Sequence, residues 1–172
     1  YDSADYWEQR FQTERQFEWL LDFEQLRPIL LDLPAENASA AFGPNALIRA
    51  NDRILHIGCG SSRLGIDLAH AGCTHVVNTD LSASAISNGR QRAEEERQRG
   101  SSILDWIQAD ALDMREVFAD ASMDVVLDKS LLDAISCGDS DMAAVAARLA
   151  EEVGRVLKPG GCWIIISYSS SR

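Results

Sequence analysis

Apolar positions in the first third of the chain recur at helix spacing. Tyr6, Trp7 and Phe11 set the pattern, and Phe17, Leu20, Leu21 and the run from Leu26 to Leu31 extend it, so this region is expected to be helical. Pro28 marks a turn or a first helical position. The stretch from Pro34 to Pro44, rich in Ala, Asn and Ser, reads as a loop. From Arg53 the rhythm changes to short apolar runs alternating with helical patterns. Arg53–Ile57, His75–Thr79, Ile103–Gln108, Met123–Leu127 and Cys162–Ser167 are predicted strands. Between them, one helix runs through Leu64, Leu68 and Ala69 to Gly72, and a second runs from Ser82, its N-cap, to about Arg99. A third starts near Ser140 and places Met142, Val145, Leu149, Val153 and Val156 on one face, until Lys158-Pro159-Gly160-Gly161 stops it. The Glu94–Arg99 charge run is expected to be a solvated face.

Such alternation predicts an α/β fold, a Rossmann-like, doubly wound, mostly parallel sheet with helices on both faces. Ligands of these sheets bind at the carboxyl ends of the strands, near the switch in strand order. The residues that follow the strands therefore carry the functional question.

Length and composition narrow the answer. At 172 residues, with 46% hydrophobic and 25% charged, the chain suits one globular domain. Within it, residues 1–50 form an N-terminal helical segment and 51–172 the core. A net charge of −11 argues against a nucleic-acid partner, since phosphate recognition is built from Lys and Arg. It suits solubility, a small ligand or a basic protein. Cys59, Cys73, Cys137 and Cys162 show neither C-x-x-C nor metal-ligand spacing, so no metal is expected, and they read as free thiols of a reducing, cytoplasmic compartment. No apolar run approaches the roughly 20 residues that span a bilayer. Tyr1 in place of Met is expected of a fragment or a processed product.

Gly58 and Gly60, with Cys59 between them, occupy the turn after the first strand. Glycine there permits positive φ and close approach of backbone to a ligand, although a tight turn without ligand reads the same way. Asp80, about twenty residues on, ends the second strand, where a carboxylate can accept hydrogen bonds from both hydroxyls of a ribose. Asp110 ends the third strand. It could accept from an exocyclic amine of a base, cap a helix from Ala111, or do both. Arg63 stands where a dinucleotide fingerprint has its third glycine, which disfavours a pyrophosphate ligand. Asp128, ending the fourth strand, is the candidate to orient an amine; a structural bond to the following loop is the alternative. His56 and His75 lie in strand patterns and are expected to be packed, while His70 ends a helix; none is assigned a role.

Ile54-Leu55-His56-Ile57-Gly58-Cys59-Gly60-Ser61-Ser62, Asp80-Leu81-Ser82, Asp124-Val125-Val126-Leu127-Asp128-Lys129 and Leu157-Lys158-Pro159-Gly160-Gly161 resemble the successive motifs of seven-strand methyltransferases that use S-adenosylmethionine. That cofactor has no pyrophosphate. Tyr6-Trp7-Glu8-Gln9-Arg10-Phe11, Phe17-Glu18-Trp19 and Asp128-Lys129-Ser130-Leu131-Leu132-Asp133-Ala134 resemble, more narrowly, the lysine methyltransferases of translation elongation factor 1-alpha. The resemblance implies that Gly58, Cys59, Gly60, Asp80, Leu81, Asp110, Ala111 and Lys129 line the cofactor pocket. It implies further that Trp7 and Trp19 close over it, whereas spacing alone would place both in a core. An aromatic lid suits a sulfonium cation. The implied partner is a basic protein such as the elongation factor, with no nucleic acid and no membrane. A small-molecule methyltransferase and a non-catalytic binding module are the alternatives. Absence of an Asn/Asp-Pro-Pro-aromatic motif argues against the methylases of amide or base nitrogens that use it. Three departures stand out. Ser61 replaces the usual Asn, Ser130 replaces the usual Gly, and the sequence stops where the family adds a C-terminal antiparallel hairpin. The sheet is therefore expected to lack that hairpin and to leave its fifth strand as an exposed edge.

Overall fold

A computed structural model describes residues 3–32, 42–98, 104–136 and 142–168. Ser3 caps α1 (Ala4–Thr13), its hydroxyl accepting from the Tyr6 amide at 3.2 Å. A reciprocal capping box between Asp22 and Gln25 opens α2 (Phe23–Leu31). That cap starts the helix early, so Pro28 sits inside it and not at a turn or first position. Residues 14–22 between the two helices are a non-helical strap, against the helical expectation for Phe17, Leu20 and Leu21. The reason is tertiary: the carbonyls of Trp19 and Leu21 accept from Lys129 Nζ at 3.0 and 3.3 Å, and Leu20 takes φ 64°. Most of the predicted loop from Pro34 to Pro44 lies outside the described residues, as do Cys137 and Ile103.

The core elements follow in order as β1 (Arg53–Ile57), α3 (Leu64–His70), β2 (His75–Asp80), α4 (Ala83–Gln98), β3 (Asp105–Gln108), β4 (Met123–Lys129), α5 (Leu131–Ile135), α6 (Met142–Val156) and β5 (Leu157–Ile166). Ser82 Oγ accepts from the Ala85 amide at 3.1 Å and so caps α4 as expected. Lys158-Pro159-Gly160-Gly161 does end α6. It also forms a register shift at the start of β5, with Gly160 at φ 84°. All pairings among the described strands are parallel, in the order β3-β2-β1-β4-β5, with β3 and β5 at the edges.

Strand periodicity sorts side chains to two faces. Ile54, Val125 and Leu127 pack with Leu26, Leu30 and Leu31 of α2 and Leu64 and Leu68 of α3. Leu55, Ile57 and Val126 pack on the other face with Leu149, Val153 and Val156 of α6. Each such buried aliphatic side chain stabilises the fold by roughly 1.5–3 kcal/mol. His56, on the α3 face, is buried and lies 3.2 Å from Asn78 Oδ1. Burial, and then the charge of Lys129, push its imidazole down to about 4, so it is neutral. His75 is exposed at the start of β2 and not packed as expected, because it lies at the solvent end of the strand beside Thr74. Among the described residues no helix is long and apolar enough to cross a membrane.

Two glycines in helices test this packing. A Cβ on Gly65 would lie 2.1 Å from Asn78 Oδ1, whereas one on Gly154 meets nothing within 4 Å. Gly65→Ala is expected to destabilise by about 1–3 kcal/mol in urea unfolding. Gly154→Ala, on an exposed face of α6, is expected to stabilise by about 0.5–1 kcal/mol.

Candidate functional site

The order of the strands reverses between β1 and β4, and a cavity of about 540 Å³ opens at their carboxyl ends. Gly58, Cys59 and Gly60 form its floor after β1. Asp80 and Leu81 line it after β2, Asp110 and Ala111 after β3, and Lys129 at the end of β4; Trp7 and Trp19 line it from the N-terminal segment. Gly58 and Gly60 have φ 58° and 49°. A Cβ on Gly58 would press Leu131 Cδ1 at 2.8 Å, and one on Gly60 would press Phe11 Cζ at 2.9 Å. Both glycines are thus required by conformation and by packing.

Asp80 is buried, and its two oxygens accept from the Gly60 amide at 2.8 Å and the Ser82 amide at 2.9 Å. Burial pushes its carboxyl up from the ordinary value, and these amides pull it down. The Leu81 amide adds a third such pull, and the carboxylate keeps acceptor capacity beyond these amides. Asp110 caps no helix: it is exposed, and Oδ1 accepts from the Leu112 amide at 2.9 Å in a turn. The Cys59 thiol is buried and held well above its usual range by that burial and by Asp80, so it is neutral. Lys129 Nζ is buried against Glu18 Oε2 at 2.5 Å. Asp128 is not among the residues that line the cavity. It is fully buried, and Oδ1 accepts from the Leu131 and Leu132 amides at 2.9 and 3.3 Å.

Comparison with known proteins gives this geometry a family. Residues 48–172 match the family model described as a methyltransferase domain. The chain belongs to that family. The methyltransferase srdJ of Neurospora crassa is 36% identical over 174 residues, covering 100% of this chain and 68% of that protein. The eEF1A lysine and N-terminal methyltransferase of Danio rerio is 34% identical across 98% of this chain, which spans only 22% of that protein. Among solved structures, a SAM-dependent methyltransferase from Methanosarcina mazei superposes with a TM-score of 0.58 at 27% identity, over 68% of this chain and 52% of that one.

S-adenosylmethionine is the cofactor of this methyltransferase domain, and the residues present suit it. The remaining acceptor capacity of Asp80 suits a ribose hydroxyl, and the glycine floor gives close backbone approach without a third glycine for a pyrophosphate. Several lining residues carried no expected role in the sequence. Phe11 lines the cavity, stacks on Trp7 at 5.6 Å between centroids and contacts the Gly60 turn; its spacing of one helical turn from Trp7 is the signal that could have found it. Phe17 and Asp133 line it too. Glu18 lies just outside, where it accepts from Ser62 Oγ at 2.8 Å, the Arg63 amide at 2.5 Å and Lys129. Ser130 sits at φ 70°, a conformation that glycine adopts more readily than serine.

Two outcomes follow for the methyltransferase. Lys129→Met strips the ammonium from Glu18 and from two strap carbonyls. It is expected to lower stability by about 3 kcal/mol and to weaken S-adenosylhomocysteine binding at least about tenfold, by urea unfolding and calorimetry. The second concerns Asp128, whose carboxyl burial pushes up to about 6. A folded-state value above the unfolded one means that its contribution is fully present below about pH 4 and is lost as pH rises towards 6. Asp128→Asn is therefore expected to gain on wild type by up to about 3 kcal/mol between pH 4 and pH 7, read from urea unfolding at each pH.

Proposed function

We propose that this domain transfers a methyl group from S-adenosylmethionine to the side-chain amine of a protein lysine, with elongation factor 1-alpha as the class of acceptor. The observation that supports it most is the charge of the cavity wall. Asp80, Asp110 and Asp133 line it, and the lysine among the described lining residues, Lys129, is already paired with Glu18. A cavity of that balance favours cations, and both a sulfonium donor and an ammonium acceptor are cations. The relatives named for eEF1A lysine methylation support the acceptor class.

When bound, S-adenosylmethionine supplies an already activated methyl group. The chain's own work is then binding, alignment and exclusion of water. Asp80 accepts from the ribose hydroxyls and Asp110 from the exocyclic amine of adenine. Trp7, Phe11 and Trp19 supply aromatic walls whose faces attract the sulfonium. Asp133, with one oxygen on Ser167 Oγ and the other on the Tyr168 amide at 3.0 Å, is held at the wall of the cavity, where an acceptor ammonium would meet it. A negative wall draws the lysine in as ammonium, and the amine must shed its proton before attack.

The test is methyl transfer from labelled S-adenosylmethionine to recombinant elongation factor 1-alpha, with the modified residue located by mass spectrometry. Label on a lysine, reduced at least about tenfold by Asp80→Ala, is the expected outcome. Label that appears only on small amines or hydroxyl compounds would overturn the protein acceptor and leave the cofactor site standing.

A further inference from the structure

Arg10 sits at the meeting point of the aromatic rings that roof the cavity, yet it does not line the cavity itself. Its guanidinium carbon lies 5.5 Å from the Trp7 ring centroid, 5.7 Å from that of Phe17 and 5.1 Å from that of Trp19. Those three rings all line the cavity. They come from two separate pieces of chain, Trp7 from α1 and the other two from the strap, and Phe17 and Trp19 meet edge to face at 5.2 Å. One cation therefore joins both pieces from behind.

Glu14 fixes that cation. Arg10 Nε donates to Glu14 Oε2 at 2.7 Å and Nη2 approaches the same oxygen at 2.6 Å, while Nη1 reaches Tyr6 Oη at 3.4 Å. Glu14 in turn accepts from Ser61 Oγ at 2.7 Å, in the turn that floors the cavity. The chain of contacts runs from the glycine turn through Ser61, Glu14 and Arg10 to the three rings. A planar guanidinium with a fixed partner can satisfy several ring faces at once, which a point-like ammonium does less well.

We propose that Arg10 is the positioning residue of the aromatic roof: it holds Trp7, Phe17 and Trp19 in their binding arrangement before the cofactor arrives. This rests on the cofactor reading above. Pre-ordering removes a cost that binding would otherwise carry, since apparent affinity falls with the fraction of molecules in the competent arrangement. The residue acts through the rings and touches no reacting atom. Its loss should alter the free protein's roof and the affinity together, and leave the sheet alone.

The experiment uses protein labelled with 5-fluorotryptophan, whose four indoles (Trp7, Trp19, Trp106 and Trp163) serve as separate reporters. Trp7 and Trp19 signals are assigned with W7F and W19F, and Trp106 and Trp163, in β3 and β5, report the core. In Arg10→Met, the Trp7 and Trp19 resonances of the free protein are expected to shift and broaden, then return towards wild-type positions at saturating S-adenosylhomocysteine. The dissociation constant is expected to rise about tenfold, with Arg10→Lys between the two. Unchanged Trp7 and Trp19 signals with affinity within about twofold of wild type would overturn the proposal. So would movement of all four indoles, which would make Arg10 a support of the whole fold. Failure of wild type to bind S-adenosylhomocysteine would count against the cofactor reading alone, because the free-protein spectra test Arg10 without it.

Discussion

Removing an ammonium group from water is costly, and the fold accepts that cost at Lys129 because one buried cation organises four pieces of chain. Its nitrogen meets Glu18, the carbonyl of Trp19 and the carbonyl of Leu21, so all three donor positions are used. Glu18 carries the constraint onward: its other oxygen accepts from the Arg63 amide at the start of α3, and Ser62 Oγ donates to the same carboxylate. The end of β4, the turn after β1, α3 and the strap are thereby fixed to one another. With the carbonyls of Trp19 and Leu21 turned inward to a lysine, the strap's hydrogen bonds go to the core and not to a helix of its own. Phe17 and Trp19 are left projecting over the cavity.

A second set of carboxylates repeats this logic along the N-terminal segment. Glu8 accepts from Ser82 Oγ and Ser84 Oγ, both at 2.5 Å, at the amino end of α4, where a negative charge is favoured by the helix. Those hydroxyls, Ser82 first, hold its carboxyl below the ordinary value. Glu14 meets Ser61, and Asn88 and Arg92 donate to the carbonyls of Phe11 and Arg15. Part of the chain's acidity is therefore structural. It fastens the roof to the serine-rich rim of the cofactor turn, and Ser61 does through a hydroxyl what joins turn to roof at that point.

Legibility in the sequence followed the range of the forces involved. Strands β1, β2 and β4 and their terminal residues Gly58, Asp80 and Lys129 were readable because parallel strands buried on both faces are short continuous apolar runs, and their ends are marked by polar residues. The strap was not: Phe17, Leu20 and Leu21 carry a helical spacing, and the lysine that overrides it is more than a hundred residues away in sequence. Pro28 misled for a similar reason, since the Asp22–Gln25 capping box outweighs a breaker placed later in the helix. Arg10 and Glu18 stand inside the two aromatic motifs of the N-terminal segment, yet their roles depend on ring positions and on a partner strand that no local pattern encodes.

The alternation of a strand also decides what Asp128 and Lys129 can do. Adjacent residues of β4 point to opposite faces of the sheet, so Lys129 reaches the strap while Asp128 points towards α5 and α6. Buried there, Asp128 uses Oδ1 on the first amides of α5. That bond and the left-handed turn at Ser130 bring the chain back as a five-residue helix along the cavity wall. The helix delivers Asp133 to the wall, where the segment after β5 secures it. The two acids of the motif thus divide their work by position. The nearer one is withdrawn from the cavity and shapes the turn. The farther one, five residues on, lines the cavity.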